Sequence, residues 1–363
     1  MARIFIGNDT RTAVITGGTG TFGQAATTLL RRIVPKWHLR IFSRDEYKQV
    51  NMEAKFGSEN ISYLIGDVRN LDRLRLAFRG ADLVLHAAAL KHVPVGEYNP
   101  EEIVATNILG SQNVVRACID EGVKRAVLIS SDKAVHPINT YGATKLVAER
   151  LFIQGNHYAG HAPFQVSHTD FNVVRYGNVA NSRGSVIELF QKLLVAGQPL
   201  QVTDPAMTRF WLRIEAAVAL ALYAAETPYA GCLFIPRLPA FNILDMCTAL
   251  MKNYYKSSDF CLAEGKNILY TGKRFGEKVH EHLMTQYERE VARIYDIPTY
   301  LAQYFGQENG MLYCYVVPPL SQQWQKDNGV LALQPADIQE YESGSWPLRL
   351  TVDALAHELD AIS

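Results

Sequence analysis

Tyr141 and Lys145 stand four residues apart, a spacing that puts both side chains on one face of a helix. A lysine ammonium beside a phenol draws its pKa from about 10 toward neutrality. A phenolate so prepared takes a proton from a substrate alcohol while hydride leaves for a nicotinamide. The ammonium can also bond the nicotinamide ribose. Just upstream runs Ser130-Ser131-Asp132-Lys133. Asp132 and Lys133 add an acid and a base, which a plain dehydrogenase does not need. Near the start of the chain lies Thr16-Gly17-Gly18-Thr19-Gly20-Thr21-Phe22-Gly23. Gly17, Gly20 and Gly23 remove side chains where the backbone turns tightly and a pyrophosphate must approach amide N–H groups at a helix start. The loop, with Thr19, Thr21 and Phe22, implies a bound dinucleotide. The tyrosine–lysine pair implies its use in hydride transfer.

These groups need elements to carry them. Residues 11–16 read as a buried strand delivering the loop, and 24–33 as the helix after it. Further strands are expected at 39–43, 61–65, 82–86, 125–130 and 171–175. Helices are expected at 71–78, 100–121, 141–157, 186–196 and 213–225. Strand alternating with helix predicts an α/β fold: a Rossmann-type doubly wound parallel sheet with a smaller α/β lobe for substrate. Residues 1–177 are expected to form the cofactor domain, with part of 200–235 returning to it. Residues 178–363 are expected to form mainly the discontinuous substrate lobe. Such sheets bind ligands at the carboxyl ends of their strands. The glycine loop, Ser43-Arg44, Asp67, Ala87-Ala88, Ser130-Ser131 and Asn178 all fall at such ends.

The end of the second strand selects the cofactor. An acid there would hold a free ribose 2′-hydroxyl; Ser43 and Arg44 stand there instead, with Asp45 one step later. A hydroxyl and a guanidinium suit a 2′-phosphate, so NADP is expected. Asp67 is expected to accept from the adenine amine with Val68 beside it, and Ala87 and Ala88 to keep the pyrophosphate wall small. Asn107 is expected to hold a water or a backbone group behind the site. The 363-residue chain balances 36 basic against 36 acidic residues. That argues against nucleic acid or a membrane surface held by bulk charge. Five cysteines without a C-x-x-C pair suit a reducing cytoplasm. No metal site is expected: His157, His161 and His168 are interrupted by Gly160 and Pro163, and His280 and His282 are expected on a helix near the nucleotide.

Further stretches carry a resemblance: His86-Ala87-Ala88-Ala89-Leu90-Lys91-His92-Val93-Pro94, Glu97-Tyr98-Asn99-Pro100, Ser131-Asp132-Lys133-Ala134-Val135, Tyr141-Gly142-Ala143-Thr144-Lys145 and Val174-Arg175-Tyr176-Gly177-Asn178-Val179. Later come Ser182-Arg183-Gly184-Ser185, Met207-Thr208-Arg209-Phe210-Trp211 and Gly276-Glu277-Lys278. Over about residues 11–290 the chain resembles the extended short-chain dehydrogenases/reductases, and within them the inverting UDP-N-acetylglucosamine 4,6-dehydratases. The resemblance implies a UDP-sugar substrate and a homo-oligomer. It assigns hydroxyl proton transfer at C4 to Tyr141, and the base and acid roles of dehydration to Lys133, kept neutral, and Asp132, if protonated. Ser131 retains a hydroxyl where the family often has Thr. The resemblance sets Ser130 and Val179 against the cofactor, Lys91 against both cofactor and sugar, and Asn178 and Ser185 against the substrate. It offers Arg183, Arg209 and Arg274 to the diphosphate and Glu277 to the uridine ribose. Two other readings stand beside it: an epimerase on the same scaffold that releases no water, and a non-catalytic NADP-binding regulator. Retention of Tyr141 and Lys145 speaks against the last.

Overall fold

The computed structural model describes residues 10–159, 168–180, 185–256, 261–298, 301, 303–305, 313–319, 329–338 and 340–362. In chain order these form β1 (Thr12–Thr16), α1 (Thr21–Ile33), β2 (His38–Ser43), α2 (Glu46–Phe56), β3 (Ile61–Ile65), α3 (Leu71–Phe78) and β4 (Leu83–His86). Then come α4 (Val93–Tyr98), α5 (Pro100–Val104), a π-helical turn (Ala105–Leu109), α6 (Gly110–Asp120), β5 (Arg125–Ile129), a 3-10 turn (Asp132–Ala134) and α7 (Thr140–Ala159). The chain continues through β6 (Asp170–Val174), β7 (Asn178–Val179), α8 (Val186–Val195), β8 (Leu200–Val202), β9 (Thr208–Leu212), α9 (Ile214–Glu226) and β10 (Leu233–Pro236). Last are β11 (Ala240–Asn242), α10 (Ile243–Tyr255), β12 (Ile268–Tyr270), α11 (Gln286–Val291), β13 (Arg293–Asp296), β14 (Tyr313–Val317) and α12 (Val352–Ala361).

The main sheet runs β13-β14-β10-β6-β5-β4-β1-β2-β3. From β10 to β3 every neighbouring pair is parallel, whereas β14 lies antiparallel to both β10 and β13. The expected doubly wound α/β fold is therefore present. Its strands are short apolar runs such as Thr12–Thr16 (TAVIT) because helices cover both faces. Helix α9 is apolar on every side, and Ala216 through Ala225 are all buried, as befits a helix enclosed by protein. A second apolar cluster joins α8, α10 and α12 through Phe190, Leu194, Met246, Leu250 and Leu355. Small sheets β11-β9-β7 and β12-β8 belong to this side of the molecule.

Four local features differ from expectation. Helix α2 was not foreseen; charged residues break up its apolar pattern, leaving only Gln49 and Met52 buried. Helix α4, which starts after His92 with Pro94 in its first turn, is not among the expected elements. The long helix expected at 100–121 is interrupted by the π-helical turn around Asn107. Residues 277–283 form no helix: His280 bonds Thr208 Oγ1 (2.8 Å), and His282 meets His136 edge-on (5.6 Å) and lies 3.9 Å from Glu342. Of the histidine stretch, Gly160, His161 and Pro163 lie outside the described residues.

Candidate active site

The carboxyl ends of the parallel strands open into a cavity of about 830 Å³. Gly17, Thr19, Gly20, Thr21 and Phe22 line it from the loop, Ser43, Arg44 and Asp45 from the end of β2, and Lys48 from α2. Val68, Ala87, Ala88, Lys91 and Ser130 through Lys133 follow, with Tyr141 and Lys145 from α7. The far wall carries Asn178, Val179, Ser185, Arg209, Arg274, Glu277 and Glu281. Gly23 and Asp67 are off the wall, and Arg183 lies outside the described residues.

Gly17 shows why the loop needs glycine. Its φ is +66°, and a Cβ there would fall 2.8 Å from the Ala88 backbone nitrogen. The loop and the end of β4 thus press together with small residues on both sides. Helix α1 then starts at Gly20 with no side-chain cap and no acid in its first turn. Its first N–H groups and the positive end of its dipole face the cavity, which suits a pyrophosphate.

At the end of β2, Ser43 Oγ accepts from Gln49 Nε2 (3.0 Å). Asp45 caps α2 by accepting from Lys48 N (3.0 Å) and pairs with Lys48 Nζ (2.6 Å). The carboxylate nearest the expected ribose site is therefore spent on a helix cap. Asp67 departs from its expected place beside the adenine. Both of its oxygens accept from Arg69, and Arg44 lies 3.7 Å away. Burial works against its charge, but the Arg69 and Arg44 contacts outweigh it and hold the carboxyl below its ordinary range. Val68 alone of that pair lines the cavity.

The proton-handling groups sit where β5 meets α7. Ser131 Oγ donates to Asp132 Oδ1 (2.7 Å) and accepts from Lys133 N (3.3 Å). Asp132 is fully buried, and its N–H donates to Tyr176 O (2.9 Å). Helix α7 approaches this turn so closely that a Cβ on Gly142 would lie 2.2 Å from Lys133 O. That contact sets Tyr141 beside Ser131 and Lys133. Asn107, reaching out of the π-helical turn, accepts from Leu90 N (2.8 Å) and donates to Leu90 O (2.9 Å) and Thr144 Oγ1 (3.0 Å). It holds the peptide before Lys91 against α7, as the expectation of a backbone partner has it.

Three electrostatic expectations change. Lys145 Nζ donates to Ile129 O (2.6 Å), and burial brings its pKa down to about 8 despite Glu149. Burial outweighs Lys133 and the Ser131 contact and leaves the Tyr141 phenol above its ordinary range rather than drawn toward neutrality, and the cation acting on it is Lys133 rather than Lys145. Lys133 itself is not held neutral. Burial opposes its charge, but Asp132 Oδ1 at 3.0 Å and Glu281 Oε1 at 3.5 Å prevail and keep the ammonium well above the ordinary lysine range.

Arg209 also departs from its expected part. It lines the cavity, yet its guanidinium donates to the carbonyls of Thr208 (2.7 Å), Val279 (3.0 Å) and Lys278 (3.1 Å). It fastens β9 to the strap 276–283, and of the expected arginines Arg274 is the exposed one at the cavity mouth. Two groups of residues escaped the sequence reading. Glu281 is buried beside Lys133. Behind the site, Arg175 pairs with Glu149 (2.7 Å) and Glu288 (2.8 Å), and Glu149 accepts from Ser130 Oγ (2.5 Å). Glu149 follows Lys145 by four residues on α7, a spacing that marks it as a neighbour.

Residues 13–302 match the family model described as "Polysaccharide biosynthesis protein". The UDP-N-acetylglucosamine 4,6-dehydratase (inverting) of Campylobacter jejuni subsp. jejuni is 43% identical over 290 residues, which span 80% of this chain and 81% of that one. A UDP-glucose 4-epimerase of Rickettsia bellii is 40% identical over 294 residues, 80% of this chain and 82% of its own. Among solved structures, Pen from Bacillus thuringiensis is 34% identical with a TM-score of 0.81, over 97% of this chain and 98% of that chain.

Proposed function

We propose that this chain, which belongs to the polysaccharide biosynthesis protein family and is an extended short-chain dehydrogenase/reductase, is an NADP-dependent, C5-inverting 4,6-dehydratase of UDP-N-acetylglucosamine. Its product is UDP-2-acetamido-2,6-dideoxy-L-arabino-hexos-4-ulose. The observation that carries this reading is the meeting of Lys133 and Asp132 with Tyr141 in one cavity at the end of the glycine loop. A plain dehydrogenase has no use for that extra pair.

The residues fit the dinucleotide: an uncapped helix start faces the loop, with no acid in its first turn to repel a pyrophosphate. Arg44 and Lys48 line the adenosine end beside Asp45, whose carboxylate pairs with Lys48 and caps α2; the two cations favour a 2′-phosphate over a bare ribose. When bound, NADP supplies the acceptor for the C4 hydride and the donor that returns it to C6. Tyr141 takes the C4 hydroxyl proton, with Lys145 beneath it. The new ketone acidifies C5–H, and Lys133, once its proton has gone to solvent, takes the C5 proton. Asp132 in its protonated form gives that proton to the C6 hydroxyl, so that water leaves, and as hydride returns to C6 a proton reaches C5 from the opposite face. Lys91, Asn178, Ser185, Arg274 and Glu277 hold the UDP-sugar along the far wall. None of the five cysteines is in a disulfide, which fits a reducing cytoplasm, and no helix among the described residues is long and apolar enough to cross a membrane.

Purified protein given UDP-N-acetylglucosamine in deuterated water is expected to release one water and to carry deuterium at C5, read by mass spectrometry and NMR. An unchanged mass with C4 inverted would instead favour the epimerase reading, which the Rickettsia bellii relative keeps in view.

A further inference from the structure

Glu281 sits on the strap that closes the cavity opposite Tyr141, with 3% of its surface exposed. Its backbone is fixed at both ends: Glu281 N donates to Ser343 Oγ (2.8 Å), and Ser343 N donates to Glu281 O (2.8 Å). Its Oε1 lies 3.5 Å from Lys133 Nζ and 3.9 Å from Arg209 Nε, and its Oε2 lies 4.0 Å from Lys278 Nζ. Arg209 and Lys278 are occupied elsewhere, donating to backbone carbonyls; Lys278 Nζ goes to Val135 O (2.5 Å). Lys133 is different: its ammonium stands between two carboxylates, Asp132 on its own turn and Glu281 across the cavity. One oxygen of each, Asp132 Oδ2 and Glu281 Oε2, is buried with no hydrogen-bond partner. Buried polar atoms are rarely left so, and such exceptions gather where a ligand or a reaction uses them.

We propose that Glu281 is a positioning residue for Lys133, bracketing its amine with Asp132 and aiming it into the cavity. The inference rests on the dehydratase reading. The charged and titratable groups facing Lys133 are Asp132, Glu281, Arg209, Lys278 and Tyr141. Two anions hold the proton on Lys133, so removing one lets it leave at lower pH. A base works only once neutral, so the rate of water loss rises with pH through that titration.

The test is the pH profile of kcat for water loss, with KM read alongside, in wild type and in E281Q. E281Q keeps the side chain's size and the Ser343 contacts but removes one negative charge. Its rising limb is expected to move to lower pH by about one unit or more. Its plateau should fall on the order of 10²-fold, the cost of a misplacement of about 1 Å, with KM unchanged. E281D, which keeps the charge on a shorter arm, should hold the wild-type limb and lose only plateau rate. If E281Q does not fold, E281D decides: a wild-type plateau there overturns the proposal. A limb and plateau in E281Q equal to wild type also overturn it, and leave the dehydratase reading standing. Should wild type leave C5 unlabelled in deuterated water, the reading and this role fall together.

Discussion

Two buried clusters of cations and carboxylates lie a few residues apart in this molecule, and they are built differently. Behind the site, Arg175 is fully enclosed, and its guanidinium meets both oxygens of Glu149, both of Glu288 and the carbonyl of Leu283. Within the site, Lys133 is 26% exposed, and Asp132 and Glu281 each keep one unpartnered buried oxygen. The first cluster uses up its hydrogen-bonding capacity and ties α7, β6 and α11 together. The second holds capacity back toward a cavity. A fully satisfied buried network rigidifies, whereas a partly satisfied one is costly unless something completes it. The two share a boundary: Ser130, bonded to Glu149, precedes Ser131, bonded to Asp132. The rigid cluster thus supports the one that faces the cavity.

That contrast can be broken by mutation. Asp132→Asn removes the acid and is expected to lower the rate of water loss about 10²–10⁴-fold. Its melting temperature should drop less than that of Arg175→Met. In the rigid cluster, Arg175→Met strands two buried carboxylates and should cost about 3–5 kcal/mol, seen in denaturant unfolding. The folded fraction of that variant should keep most of its kcat if Arg175 acts only as support.

A pH titration of stability sharpens the same point. Burial opposes the Glu288 charge, but Arg175 prevails and holds its pKa down to about 2. A carboxyl depressed below its unfolded value of about 4.3 stabilises the fold above that value. The contribution is lost as pH falls toward 2, so wild type should lose stability steeply over that acid window. Glu288→Gln should flatten the slope there; an unchanged slope would mean that Glu288 is not ion-paired. The smallest effect is expected at the cofactor end. Arg44→Ala should weaken NADP about tenfold relative to NAD, the worth of one charge-assisted hydrogen bond at about 1.5 kcal/mol. Equal losses for both dinucleotides would deny Arg44 its part in selection.

Legibility in the sequence followed the range of the interactions. The glycine loop, the Tyr141–Lys145 spacing and the parallel strands are local patterns, and all appear in the structure. Helix α2 was hidden because its exposed face carries most of its residues, and the Asp45 cap looked like part of a nucleotide site. The antiparallel edge β14-β13 is joined to the sheet by pairing between distant segments, which no local period announces. Glu281 stands 148 positions after Lys133 and reaches it only because Arg209 and Ser343 fix the strap. Its signal was present: it lies four residues after Glu277, inside a stretch already singled out, but beside His280 and His282 it read as helix. Arg209 and Asp67 were expected to meet ligands, and both are engaged within the protein itself, Arg209 by the distant strap and Asp67 by Arg69.

The most direct test of the account is Lys133→Ala given UDP-N-acetylglucosamine and NADP in deuterated water. Tyr141 and Lys145 remain in this variant, so absorbance of the reduced nicotinamide should build up while the sugar loses only the hydride and proton of its C4 alcohol, keeps its C6 hydroxyl and gains no deuterium at C5. Release of water at the wild-type rate would contradict the account, because the cluster that holds back its hydrogen-bonding capacity would then have no part in the chemistry.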